Sequence, residues 1–331
     1  MNPIWKDYFV DLGNADSVAY EIRHNYRLIY SGKAWRRPGE NTIRVKINDI
    51  CADYISNTLP ALALQFTPMA RTVFEILVET DGVFTVKESV EFINDWSYDE
   101  SFDPCDGLSI PVNGRVDPRQ WLIYTVFAAQ MLRVDVELTD GTKFTTSIST
   151  GIQADFNVDF NSDFARHVAA QNGTALFRLL NSNVKRLTID GKVYEVTAGC
   201  DRYVLYYTNA AGGWDSLLIE GNHAENDSVT RYTFEKEYDN RTVQNRGRVN
   251  YANEIVKSLK LYTAPMSDDQ SAKMHNLLNS ANVYLYDLER DQMIPVILKN
   301  TSTEYKTFKG GGRKLVTYAI DVEFANTRIR R

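Results

Sequence analysis

The sequence predicts a mostly β protein: two β-sandwich-like antiparallel domains with a few short helices. Three observations carry that prediction. Apolar and polar residues alternate at period two in run after run, the mark of half-buried strands. Asp140-Gly141 and Asp190-Gly191 each separate two such runs, and Asp-Gly favours the positive φ angles of a tight hairpin turn. Helical periodicity is clear in one place only, after Ser267.

Taken in chain order, residues 42–47 put Ile43, Val45 and Ile47 on one face of a strand. A short helix is expected at 48–56, with Ile50, Tyr54 and Ile55 turned inward. Strands follow at 73–79 and 121–127. Between them the Asp/Asn-rich stretch 95–115, with Pro104, Gly107, Pro111 and Gly114, reads as a long loop. Residues 132–138 and 143–149 form one hairpin, and 186–189 and 192–196 a second. Residues 164–181 suggest a helix, interrupted near Asn172-Gly173. Further strands are expected at 202–208, 215–220, 229–238, 255–263, 283–288, 293–298 and 314–324. Ser267 with Gln270 three residues on is a capping box, and Asp268 and Asp269 suit the positive end of a helix dipole. Met274, Leu277, Leu278 and Ala281 then form one apolar stripe of a helix near 267–281 that lies on a sheet. The domains are placed at 1–170, carrying the long loop, and 171–331, carrying that helix.

Composition narrows the function. With 331 residues the chain is long enough for two cores. Its 18 Gly and 9 Pro exclude collagen-like and low-complexity chains. The 37 Lys+Arg against 43 Asp+Glu leave a net charge of −6, which disfavours a protein built to neutralise nucleic-acid phosphates. Cys51, Cys105 and Cys200 are far apart and odd in number, so neither a disulfide framework nor a structural zinc site is expected. The first residues lack the basic-then-apolar order of a secretory signal. No stretch approaches the roughly 18 apolar residues that cross a bilayer.

No catalytic signature emerges, and neither an enzyme nor a cofactor is expected. His24, His167, His223 and His275 have no metal-motif spacing; His275 reads as surface and His223 as loop. The oxygen ligands recurring between Asp155 and Asp163 invite a calcium loop. An EF-hand, however, would need Gly at Phe160 and Glu at Arg166, so an amphipathic strand is the better reading. Gly310-Gly311-Gly312, between Lys309 and Arg313, precedes a strand rather than a helix, so it is a hairpin tip and not a phosphate cradle. Ala210 to Ser216 forms a tight connection presenting Trp214, which is core if buried and a stacking or interface anchor if exposed. Arg241, Arg246 and Arg248 interleave with Tyr232, Phe234, Tyr238 and Tyr251, but Glu235, Glu237 and Asp239 cancel their field. Strand surface or a subunit contact is therefore expected there, not a nucleic-acid face.

Three groups of segments carry a resemblance. The first is Tyr30-Ser31-Gly32-Lys33-Ala34 with Arg37-Pro38-Gly39 and Ile47-Asn48-Asp49-Ile50-Cys51. The second runs from Cys200 to Asn209 and on through Gly212-Gly213-Trp214-Asp215-Ser216. The third is Tyr305-Lys306-Thr307 with Lys314-Leu315, Glu323-Phe324 and the basic tail. Together they resemble structural proteins of tailed phages and prophages of gut Bacteroidetes. The resemblance implies a virion tail component of distal-tail, tail-tip or baseplate type, working as a ring or trimer with other tail proteins. It offers no active-site pattern. Trp214, Gly311, Arg313, Arg328, Arg330 and Arg331 are the contact points expected in such an assembly. The first rival is an adhesin that binds host surface glycan, with Trp214, Asp215 and Tyr207 as its stacking platform. A hydrolase using Asp99, Asp103 and Asp106 is the second.

Overall fold

The computed structural model describes residues 2–4, 7–55, 59, 65–68, 72–93, 111–126, 131–149, 173–179, 183–197, 199, 202–235, 248–300, 315–326 and 328–330. The protein is mostly β, in several antiparallel sheets with two helices among the described residues, as the alternation predicts. Among the described residues two short pairings are parallel, Asn2–Pro3 beside Phe92 and Ile93, and Arg115–Val116 beside Glu195 and Val196.

The N-terminal sheet runs in the order Asn2–Pro3, Val83–Ile93, Thr72–Thr80, Ser17–His24, Arg27–Trp35. Val18, Tyr20 and Ile22 alternate inward with polar neighbours outward. They meet Val10 and Leu12 of the ribbon Phe9–Gly13, Ile43 of its partner Ile43–Lys46, and Ile47 and Cys51 beside the helix Asn48–Ala52. Burial pushes the Cys51 thiol up to about 12, so it behaves as a small hydrophobe. The helix is shorter than expected: Ile50 and Ile55 pack against this core, but Tyr54 is exposed.

A second sheet is ordered Lys143–Ser149, Met131–Leu138, Val184–Ile189, Lys192–Val196, Arg115–Val116. Both expected hairpins are present. Asp190 and Gly191 have φ of 48° and 76°, the paired positive values of a two-residue primed turn. At the other hairpin only Gly141 is left-handed (φ 86°), and the Asp140 carboxylate accepts from the Thr142 N–H.

Residues 164–181 bring a correction. Gly173–Arg178 is a strand between Trp121–Val126 and Gln65–Pro68. Backbone partners on both sides satisfy its amides, and those partners lie far away in sequence, where local periodicity does not reach. The division expected at 170/171 falls outside the described residues. On either side of it, Val134 to Leu138 pair with Ile189 to Val184.

The largest sheet has eight strands. Its path is Trp214–Ile219, Tyr203–Thr208, Val283–Asp287, Gln292–Leu298, Ala319–Phe324, Arg248–Tyr262, His223–Glu235. Arg328–Arg330 also pairs with Arg248–Tyr262. The strand expected at 314–324 begins at Ala319, and Val316 forms an isolated bridge with Met266. His223 starts a strand rather than sitting in a loop. On one face the helix Asp268–Leu278 seats Met274 and Leu277 among Leu205, Leu261 and Val322. Its capping box forms as expected: the Ser267 N–H donates to Gln270 Oε1 at 2.9 Å and the Gln270 N–H to Ser267 Oγ. Ala281 lies past the helix end and is exposed, and His275 is half-buried. On the other face Val204, Tyr206, Trp214 and Tyr286 meet Trp121 and Ile123. The strand Trp121–Val126 thus serves two cores, since its alternate residues Leu122 and Tyr124 face Val134 and Leu187.

Candidate assembly surfaces

Of the residues predicted to make contacts, Trp214 is corrected by the structure. It is 4% exposed. Its ring lies 5.9 Å from that of Tyr284, and its backbone N–H donates to Thr125 Oγ1 at 2.9 Å. The connection before it is built for rigidity. Asn209 Oδ1 accepts from the N–H groups of Ala211 and Gly213, both at 3.0 Å, and Asn209 Nδ2 donates to the buried Asp215 carboxylate at 2.6 Å. Tyr207 is fully buried. Trp214, Asp215 and Tyr207 therefore belong to the interior, and the glycan platform drawn on them is not on the surface. Gly311, Arg313 and Arg331 lie outside the described residues, as do Asp155 to Asp163, Asp99, Asp103 and Asp106. Arg328 and Arg330 lie on the strand that pairs with Asn253 to Ile255.

The surface that stands out is the hairpin formed by His223–Glu235 and Arg248–Tyr262. Thirteen rungs pair the two strands, about 44 Å of ribbon at the usual rise per residue. Its root is anchored by buried Leu259 and Leu261, but twelve of the thirteen residues in His223–Glu235 are exposed. Register sets opposite charges face to face, Asp227 with Lys257 and Glu235 with Arg248. The register shifts between Tyr232 and Thr233, leaving Tyr251 as the extra residue of a bulge.

That bulge gathers three rings in water. Tyr251 lies 6.2 Å from Tyr232 and 6.0 Å from Phe234, ring to ring. Phe234 is 46% exposed and Tyr251 56%. The Tyr232 hydroxyl donates to Glu254 Oε2 at 2.7 Å, which fixes the ring and raises the phenol pKa. Arg248 Nε donates to Thr233 Oγ1 at 2.9 Å. Clustered exposed aromatics mark surfaces that other proteins cover. The sequence did flag these residues as a possible subunit contact. It also held a sharper sign: from His223 to Arg231 the only apolar residues are Ala224 and Val229, too few to line a core.

A second exposed strand closes the N-terminal sheet. Along Arg27–Trp35, Leu28 and Trp35 are exposed, Trp35 at 65%, and the Lys33 ammonium sits 5.8 Å above the indole. Tyr30 folds back over Gly32, where a Cβ would lie 2.8 Å from the tyrosine ring. The glycine leaves room for the ring to cover the backbone and approach Tyr20.

Chemistry has less to work with. A surface hollow of about 380 Å³ on the second sheet is lined by Asp135, Glu137, Lys143, Phe144 and Arg186, among others. A hydrogen bond from the Thr145 hydroxyl, then one from Arg133, holds the Asp135 carboxyl below its usual range. Lys185 does the same for Glu137. Both carboxylates stay charged, whereas a glycosidase pair needs one carboxyl kept protonated. Among the described residues no His/Cys/Asp/Glu group is placed to hold a metal ion, and no helix is long and apolar enough to cross a membrane. Comparison with protein-family models, with curated protein sequences and with solved structures finds no match for this chain.

Proposed function

We propose that the chain is a structural subunit of a phage virion tail, a tail-tip, baseplate or connector component that acts by assembling with copies of itself and with neighbouring tail proteins. It is made in the bacterial host cytoplasm and leaves with the virion. The segments around Tyr30, Tyr203 and Tyr305 support this by resemblance. The single observation that carries it is the hairpin of the largest sheet: its outer strand His223–Glu235 is exposed at nearly every residue, and three rings cluster on it and its partner strand. The rings of Tyr232, Phe234 and Tyr251 join no core cluster of their own subunit, so their apolar surface is explained by what it meets in an assembly. Size-exclusion chromatography with light scattering tests the reading. A discrete ring or trimer is the expected result, and a strict monomer at high concentration would overturn it.

A further inference from the structure

We infer that two of the chain's open sheet edges are mates: Arg27–Trp35 of one copy lies beside His223–Glu235 of the next. This deepens the assembly reading and rests on it. Both strands end their sheets, and among the described residues neither has a neighbour on its outer side. They are 9 and 13 residues long, so the shorter can be paired over its whole length. His223–Glu235 contains neither the Pro nor the Lys that commonly blunt long edges, though it carries four charged side chains and faces the bulge at Tyr251. An open edge is a template for an added strand, with the main chain giving affinity and the side chains specificity.

Charge selects the partner. From Arg27 to Arg37 there are four basic residues, Arg27, Lys33, Arg36 and Arg37, and no acidic one. Arg36 is paired with Asp16, while Arg27, Lys33 and Arg37 have no carboxylate partner among the described residues. Within its own length His223–Glu235 carries Glu225, Asp227 and Glu235 against Arg231; off the strand, Glu225 meets Arg202 at 3.7 Å, and Asp227 and Glu235 stand opposite Lys257 and Arg248. Pairing either edge with itself sets like charges together, a juxtaposition that costs several kcal/mol. Pairing one with the other sets opposite charges together and brings Leu28 and Trp35 toward Val229, Tyr232 and Phe234, all exposed in the single chain. Joining two different patches is a heterologous contact, and such contacts close into rings when the rotation allows.

Two full-length variants test the pairing by light scattering, each checked for an unchanged melting curve. Arg27→Glu with Lys33→Glu makes both edges acidic; Asp227→Lys with Thr230→Lys makes both basic. All four positions are exposed, so folding is expected to be retained. Each variant alone is expected to need at least about tenfold more protein to assemble. An equimolar mixture of the two restores assembly, as alternating chains or even-numbered rings, because the acidic edge of one meets the basic edge of the other. If wild type and both variants assemble alike, the edge pairing is overturned while the assembly reading stands. A wild type that stays monomeric overturns both.

Discussion

Strands Tyr203–Thr208 and His223–Glu235 share one sheet and one hydrogen-bonding pattern, yet the first is buried at every residue and the second is exposed at nearly every one. Both carry tyrosines. The difference lies in what covers each face. The helix Asp268–Leu278 and the strand Trp121–Val126 sandwich the first, and no described element lies over the second. A residue type does not decide between holding a fold together and holding subunits together; coverage does.

The contrast can be broken most forcefully from the buried side. Tyr206 is fully buried and donates its hydroxyl to the Trp121 carbonyl at 2.5 Å. Tyr206→Ala is expected to lower stability by about 4 kcal/mol in chemical denaturation, the cost of a large aromatic cavity. Base titration sharpens the same point. Burial raises the pKa values of Tyr207, Tyr194 and Tyr124, with the Asp215 carboxylate adding to each. Their unfolded-state phenols ionise near pH 10 while the folded ones keep their protons, so stability holds below pH 10 and falls above it. The slope is on the order of 1.4 kcal/mol per pH unit for each phenol. A denaturation midpoint that stays flat from pH 9 to pH 11 would contradict this. Ser267→Ala, which removes one half of the capping box, is expected to cost about 1 kcal/mol by the same assay. The smallest effect belongs to the exposed strand. Phe234→Ala should change stability by less than about 0.5 kcal/mol yet weaken assembly in light scattering, a separation that no core residue can produce.

What was legible in the sequence was local. Asp190-Gly191 announces its turn because the positive φ demand is met within two residues. Ser267 and Gln270 announce their helix because the cap closes over three. The fate of Trp214 turns on Thr125, 89 residues away, and no period in its neighbourhood records that contact. Gly173–Arg178 was missed for the same reason, since its partners begin at Gln65 and Trp121. The hairpin of the largest sheet lay between these cases. Its alternation was read as strand, but whether a face meets water or protein depends on how many apolar residues stand there to be covered.

The pairing of Arg328–Arg330 with Asn253 to Ile255 gives the root of the hairpin a third strand. Up to Asn253 the strand Arg248–Tyr262 is flanked on both sides, by Arg231 to Val229 on one and by Arg328–Arg330 on the other. Among the described residues four rungs lie beyond it, a two-stranded stretch of the kind that has little stability of its own. The three rings sit on that stretch. In the assembly proposed above, a partner covering the rings has two strands rather than three to hold in place, which keeps the entropy lost on capture small.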